Sequence, residues 1–182
     1  MPVYVSMLRG INVGPHKRMK MEKLRLSFEA LGFEQVKTFI QSGNVVFRAK
    51  KISTSALSKK IEKQIADDFG FPVSVITRSV EELGAAIENN PFLKRPAIDH
   101  EKLHVMFLSE APASEAGKKL EELTIAPDQC IGLGNEVYFY FPNGISGSVL
   151  MKKPVDKILA VATTTRNWRT VNSLNQMCRD CR

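Results

Sequence analysis

Two runs rich in β-branched residues, at 36–41 and 44–48, are separated only by Ser42-Gly43. A two-residue gap containing glycine leaves no room for a crossover, so the runs must return on each other as an antiparallel hairpin. What flanks the hairpin decides the rest. Residues 2–8 alternate, with Val3, Val5 and Met7 on one side, and read as a strand. A helix at about 20–31 follows from Met21, Leu24, Phe28 and Leu31 at a spacing of three to four, and Gly32 is its natural stop. Beyond the hairpin, Leu57, Ile61, Ile65 and Phe69 recur every four residues and predict a second helix. Residues 73–77 predict a fourth strand. The order β-α-β-β-α-β is that of the ferredoxin-like plait, in which both helices cover one face of an antiparallel sheet.

A short helix is expected at about 79–89, and Asn89-Asn90-Pro91 then breaks regular structure through Pro96. The second half nearly repeats the order of the first: strand 103–108, helix 113–123, strands 129–133 and 137–141, and a helix at 155–162 with Pro154 in its first turn. A last helix begins near Asn167, with Trp168, Val171, Leu174 and Met177 as its buried stripe. The expectation is an α+β protein with a ferredoxin-like domain at 1–90. A second α+β domain of similar element order, ending in a C-terminal helix, is expected at 97–182.

The net charge of +7 is uneven. Residues 1–70 hold 13 Lys/Arg against 6 Asp/Glu, residues 71–144 hold 6 against 11, and residues 145–182 hold 7 against 2. A basic surface formed by the two ends would attract anions or nucleic acid, while solvated lysines on helix faces account for the same numbers. No apolar stretch approaches the roughly 20 residues of a membrane helix, and no basic leader precedes an apolar run. With three cysteines, too few for a closed disulfide framework, the expectation is a cytoplasmic protein with no membrane partner.

Polar and basic side chains concentrate at three junctions: Leu8-Arg9-Gly10-Ile11-Asn12-Val13-Gly14, Gln41-Ser42-Gly43-Asn44 and Thr163-Thr164-Thr165-Arg166-Asn167-Trp168. Strand ends and helix starts present backbone N–H groups, so such junctions favour an anion. Arg9 has a planar fork suited to phosphate or carboxylate, and Asn12 offers both donor and acceptor. Either the pair binds a ligand or it ties neighbouring carbonyls. Ser42 and Asn44 at a turn ordinarily satisfy local backbone. Thr165 is expected to cap the last helix, placing Arg166 and Asn167 at the positive end of its dipole. Trp168 suits a core anchor better than a stacking platform.

Other constellations are weaker. Cys178-Arg179-Asp180-Cys181 has redox spacing but closes a helix instead of opening one, which suggests incidental thiols at a fraying end. His104, inside an apolar strand, reads as a satisfied structural histidine. Tyr4, Phe39 and Phe47 are expected on the sheet face opposite the helices, where they would either stack bases or pack a domain. No phosphate loop, dinucleotide fingerprint, zincin pattern, hydrolase triad or metal-ligand set is present. The residues name no cofactor, leave catalysis undecided and say nothing of oligomeric state.

The strings Met7 to Gly14, Ile40 to Phe47 and Thr164 to Val171 together resemble domain-of-unknown-function family 1697, uncharacterised bacterial cytosolic proteins. Pro15 departs from that pattern, where a second glycine is usual, and stiffens the turn. The resemblance implies an α+β protein with a ferredoxin-like part and transfers no activity. It singles out Arg9, Asn12, Gln41, Ser42, Asn44, Arg166, Asn167 and Trp168. The function expected is the binding of a phosphorylated or carboxylated small molecule. Nucleic-acid binding, an enzyme acting on such an anion, or an interaction module are the alternatives.

Overall fold

Alternation of the first apolar run produces β1 (Val3–Leu8), a strand buried on both faces. The computed structural model describes residues 1–181. Helix α1 (Met21–Ala30) buries Leu24 and Phe28 and has no side-chain N-cap. Strands β2 (Glu34–Phe39) and β3 (Asn44–Arg48) form the hairpin. Helix α2 (Thr54–Phe69) starts where Ser53 Oγ accepts from the Ala56 N–H at 3.2 Å, and it stops at Gly70 in the left-handed region. Strand β4 (Val75–Ser79) closes an antiparallel sheet of order β2-β3-β1-β4, the ferredoxin-like arrangement.

Two strands sit differently from the sequence reading. Strand β2 begins at Glu34, two residues early, because a bulge at Gln35 (φ +50°) absorbs the irregular start; its end at Phe39 leaves Ile40 and Gln41 in the turn. Strand β4 runs two residues later than expected, since Val73 fills the core ahead of the ladder.

Tyr4 and Phe47 do not face away from the helices. They stack at 5.9 Å inside the core formed by Leu24, Phe28, Leu57 and Ile61, with Phe33 on Phe47 at 4.6 Å. The parity of β1 is the reason: Tyr4, Ser6 and Leu8 point to the helices, whereas Val3, Val5 and Met7 point to the other face. The polar member of the inner row is satisfied, with Ser6 Oγ 2.8 Å from Thr77 Oγ1 and Ser58 Oγ donating to Thr77 Oγ1 at 3.0 Å.

Helix α3 (Val80–Glu88) leads to a 3-10 turn at Pro91–Lys94, where Asn90 Oδ1 accepts from the Phe92 N–H at 3.1 Å. Then come β5 (Leu103–Leu108), α4 (Ser114–Glu122), β6 (Gln129–Leu133), β7 (Glu136–Tyr140), α5 (Val155–Leu159) and β8 (Thr163–Asn167). They form a second antiparallel sheet of order β6-β7-β5-β8. Helix α6 (Trp168–Asp180) follows β8 directly. Helix α5 is shorter than expected, with Pro154 at its cap and Ala160 turned left-handed just after it.

Strand β8 is the element the sequence hid. The expected loop and helix cap at 163–167 instead pair with β5, Thr165 lying opposite Met106. Three threonines, an arginine and an asparagine carry no hydrophobic alternation, so the strand is recognisable only by its partner. With it, the second half completes the same β-α-β-β-α-β order as the first.

The described residues divide into two compact units. One contains Met1–Ala85 and the chain from Ser173 onward; the other is Ala86–Asn172. The last part of α6 thus groups with the first unit. Its thiols are not at a fraying end: Cys178 and Cys181 are both buried, and Cys181 Sγ donates to Gln35 Oε1 at 3.3 Å, at the β2 bulge. Cys178, not the half-buried Met177, completes the buried stripe.

Candidate functional site

The sheet extends one step past β1. The Leu8 N–H donates to Gly43 O at 2.8 Å and the Arg9 N–H to Ser74 O at 3.0 Å. The chain then turns through Gly10 (φ +63°), Asn12 (φ +55°), Gly14 (φ +70°) and Lys17 (φ +52°). Ile11 and Met19 plug this loop into the core. Asn12 stitches it: Nδ2 donates to Met19 O and to Gln41 O, each at 2.9 Å, and Oδ1 accepts from the Met19 N–H at 2.8 Å. Its left-handed backbone is one that asparagine tolerates.

The turn at 41–44 packs directly on this loop. A Cβ on Gly43 would lie 2.6 Å from Ile11 Cδ1 and 2.9 Å from Leu8 Cβ, so only glycine fits there. Asn44 is buried, and its Nδ2 donates to Phe39 O at 3.1 Å and Ser42 Oγ at 2.9 Å. Five of the expected residues, Arg9, Asn12, Gln41, Ser42 and Asn44, therefore gather at one end of the first sheet. Asn12 and Asn44 spend the amide N–H groups they bring there on the loop and the hairpin turn themselves.

A cavity of about 400 Å³ opens beside the loop. Arg9, Gly10 and Lys17 line one part of it; Glu62, Pro72 and Ser74 line another. Arg9 is half-buried and Lys17 exposed. Glu62 Oε1 accepts from the Val75 N–H at 2.8 Å, which ties this carboxylate to the start of β4. Two cations against one engaged acid make the cavity cationic. The sequence reading missed Lys17, although the basic run Lys17-Arg18 was visible, because only the turns at left-handed residues such as Asn12 and Lys17 return the chain to the cavity that Arg9 lines.

Arg166, Asn167 and Trp168 belong to the second unit. Arg166 is buried in β8; its Nη1 donates to Thr164 Oγ1 at 2.7 Å and Thr165 O at 2.9 Å. Burial pulls its pKa down to about 10. Asn167, not Thr165, caps α6: its Oδ1 accepts from the Thr170 N–H at 2.8 Å. Trp168 is buried in the first turn of that helix.

Arg166 has a counterpart that sequence reading passed over. Arg78 pairs with Val5 in β4 as Arg166 pairs with Val105 in β8, both arginines are buried, and Arg78 Nη1 donates to the preceding carbonyl, Thr77 O, at 3.1 Å. Each arginine is followed by a cap, Ser79 Oγ accepting from the Glu82 N–H at 3.1 Å as Asn167 does for α6. The spacing Arg-Ser-x-x-Glu and Arg-Asn-x-x-Thr is the signal that could have revealed both the repeat and β8.

His104 is not the fully satisfied histidine expected: its Nδ1 is buried with no hydrogen-bond partner. Burial holds its pKa below the usual imidazole range, with the Lys102 backbone acting weakly the other way. Among the described residues no group of three or more His, Cys, Asp or Glu side chains could hold a metal ion. No described helix is long and apolar enough to cross a membrane.

No curated protein matches the chain. A solved structure described as that of conserved bacterial protein SP0830 from Streptococcus pneumoniae is similar to it. The two are 26% identical with a TM-score of 0.76, over 97% of this chain and 98% of that one. The family model described as "Protein of unknown function (DUF1697)" matches residues 1–138, and it spans the loop at 9–14 and the turn at 41–44. On that match, the chain belongs to the DUF1697 family.

Proposed function

We propose that this protein is a cytoplasmic binder of a small phosphorylated or carboxylated molecule, held in the cavity beside the loop at 9–17. The observation that carries this reading is that Arg9 and Lys17 line the same cavity of about 400 Å³, within the roughly 300–1,000 Å³ range of small-molecule sites. The Arg9 guanidinium would clamp two anion oxygens while the Lys17 ammonium adds a point charge. Asn12, Gln41, Ser42 and Asn44 serve by shaping the loop and turn. Arg166, Asn167 and Trp168 are assigned to the second unit's own scaffold, since the Arg166 guanidinium donates inward and Asn167 caps a helix. The cytoplasmic part of the reading is supported by three free thiols.

Calorimetric titration with inorganic phosphate, sugar phosphates and dicarboxylates tests the reading. Saturable binding of one of these that Arg9→Gln or Lys17→Gln weakens about tenfold or more, with little change in melting temperature, is the expected result. Unchanged binding in both variants overturns it. Binding to oligonucleotides that falls steeply with salt would favour the nucleic-acid alternative.

A further inference from the structure

The geometry points to a second binding site in the first unit, for a small amphipathic carboxylate: an apolar chain ending in a single negative charge. A cavity of about 480 Å³ lies at the far edge of the helix-covered core and shares no lining residue with the one beside Arg9. Its floor is Phe33, Ala49 and Leu57, all buried, and Leu31 and the exposed Ile52 form its walls. Lys50, Lys51 and Lys60 also line it, against the single carboxylate of Glu34.

The site is preformed. The buried Tyr4 hydroxyl donates to Ile52 O at 3.2 Å and accepts from the Ile52 N–H at 3.4 Å, which pins the segment carrying Lys51 and Ile52 to the core. Lys60 Nζ donates to Leu31 O at 3.4 Å and stands 5.4 Å from the Phe33 ring centroid, so its ammonium is held over the apolar floor. An exposed isoleucine beside lysines on a pinned segment gains by being covered, because burial removes apolar surface from water.

Charge complementarity selects the occupant. Three separate ammonium groups act as point charges without the fork that grips a phosphate in two places. They suit one carboxylate at the mouth of an apolar trough. A neutral chain would fill the trough and bring no charge to offset the three ammonium groups, which face only one carboxylate, that of Glu34. A strongly polar anion would leave Leu31 and Ile52 uncovered.

Displacement of dansyl-undecanoate from the full chain tests this, with decanoate and decanol as competitors. Decanoate should displace the probe saturably and decanol much less. The double variant Lys51→Gln/Lys60→Gln should weaken decanoate about tenfold. Ile52→Ser, at an exposed position that leaves the core intact, should weaken the probe itself. Arg9→Gln should change none of these readings, which separates this site from the anion cavity. Equal competition by decanol and decanoate, or unchanged decanoate affinity in folded lysine variants, overturns the assignment. So does a dimer in sedimentation that Ile52→Ser alone converts to monomer, because the trough would then be covered by a second copy of the chain.

Discussion

Asn12 Nδ2 stands 2.9 Å from the carbonyl oxygen of Gln41, and this one bond joins the loop after the first strand to the turn between the second and third. The same side chain makes two further bonds to Met19. Asn12→Ala removes all three while leaving the carbonyls and the Met19 N–H without these partners. A loss of about 1–3 kcal/mol in urea unfolding is expected. Asn12→Asp keeps the acceptor for the Met19 N–H but sets a carboxylate oxygen against the Met19 and Gln41 carbonyls, so it should be no more stable than alanine. Equal stability of all three proteins would mean that water replaces the asparagine at no cost.

Gly43 and Gly10 both have left-handed backbones but differ in their surroundings. Gly43→Ala drives a methyl into Ile11 and Leu8, with roughly 1–3 kcal/mol of crowding. Left-handed strain adds about 1–2 kcal/mol. Gly10→Ala meets open space and incurs only that strain. Chemical denaturation should rank Gly43→Ala well below Gly10→Ala. The reverse order would contradict the packing of turn on loop.

Helix α6 provides a test of the hidden strand. Asn167→Ala removes the side-chain acceptor for the Thr170 N–H and should cost about 1 kcal/mol, with Asn167→Asp close to wild type. Thr165→Ala removes no cap and should have a smaller effect. If Thr165 were the true cap, the two alanine variants would exchange rank.

His104 makes stability depend on pH in the acid range. Burial lowers its folded pKa below the unfolded value of 6.5, so the unfolded chain binds more protons between the two values. Stability from this group is therefore intact above about pH 6.5 and falls as pH drops toward the folded pKa, below which the loss levels off. His104→Phe should flatten this part of the profile between pH 7 and 5, measured as the denaturation midpoint. An unchanged slope would remove His104 as its source.

The thiols should be quiet in the native state. Cys178 and Cys181 are buried, and burial pushes the Cys130 thiol up to about 11. Ellman's reagent at neutral pH should react slowly with the folded protein and promptly with all three cysteines after denaturation. Fast reaction at Cys178 or Cys181 in the folded protein would show that the end of α6 opens.

The sequence by itself determined those elements whose residues carry their own periodicity. Strand β1, the presence of the hairpin, α1 and α2 could be read because alternation of two and spacing of three to four are local properties. The gathering of Arg9, Asn12, Gln41, Ser42 and Asn44 followed from a hairpin returning beside the first strand, although its loop is the four residues 40–43 and not the two expected, because β2 stops at Phe39. Only the tertiary structure decided which residues became strand β8, that Arg166 became buried, that Asn167 took the cap from Thr165, and that Lys17 lines the same cavity as Arg9. Each of these depends on a partner distant in the chain: Thr163–Asn167 is strand because β5 offers an unpaired edge, and a polar run acquires its conformation from the backbone it pairs with.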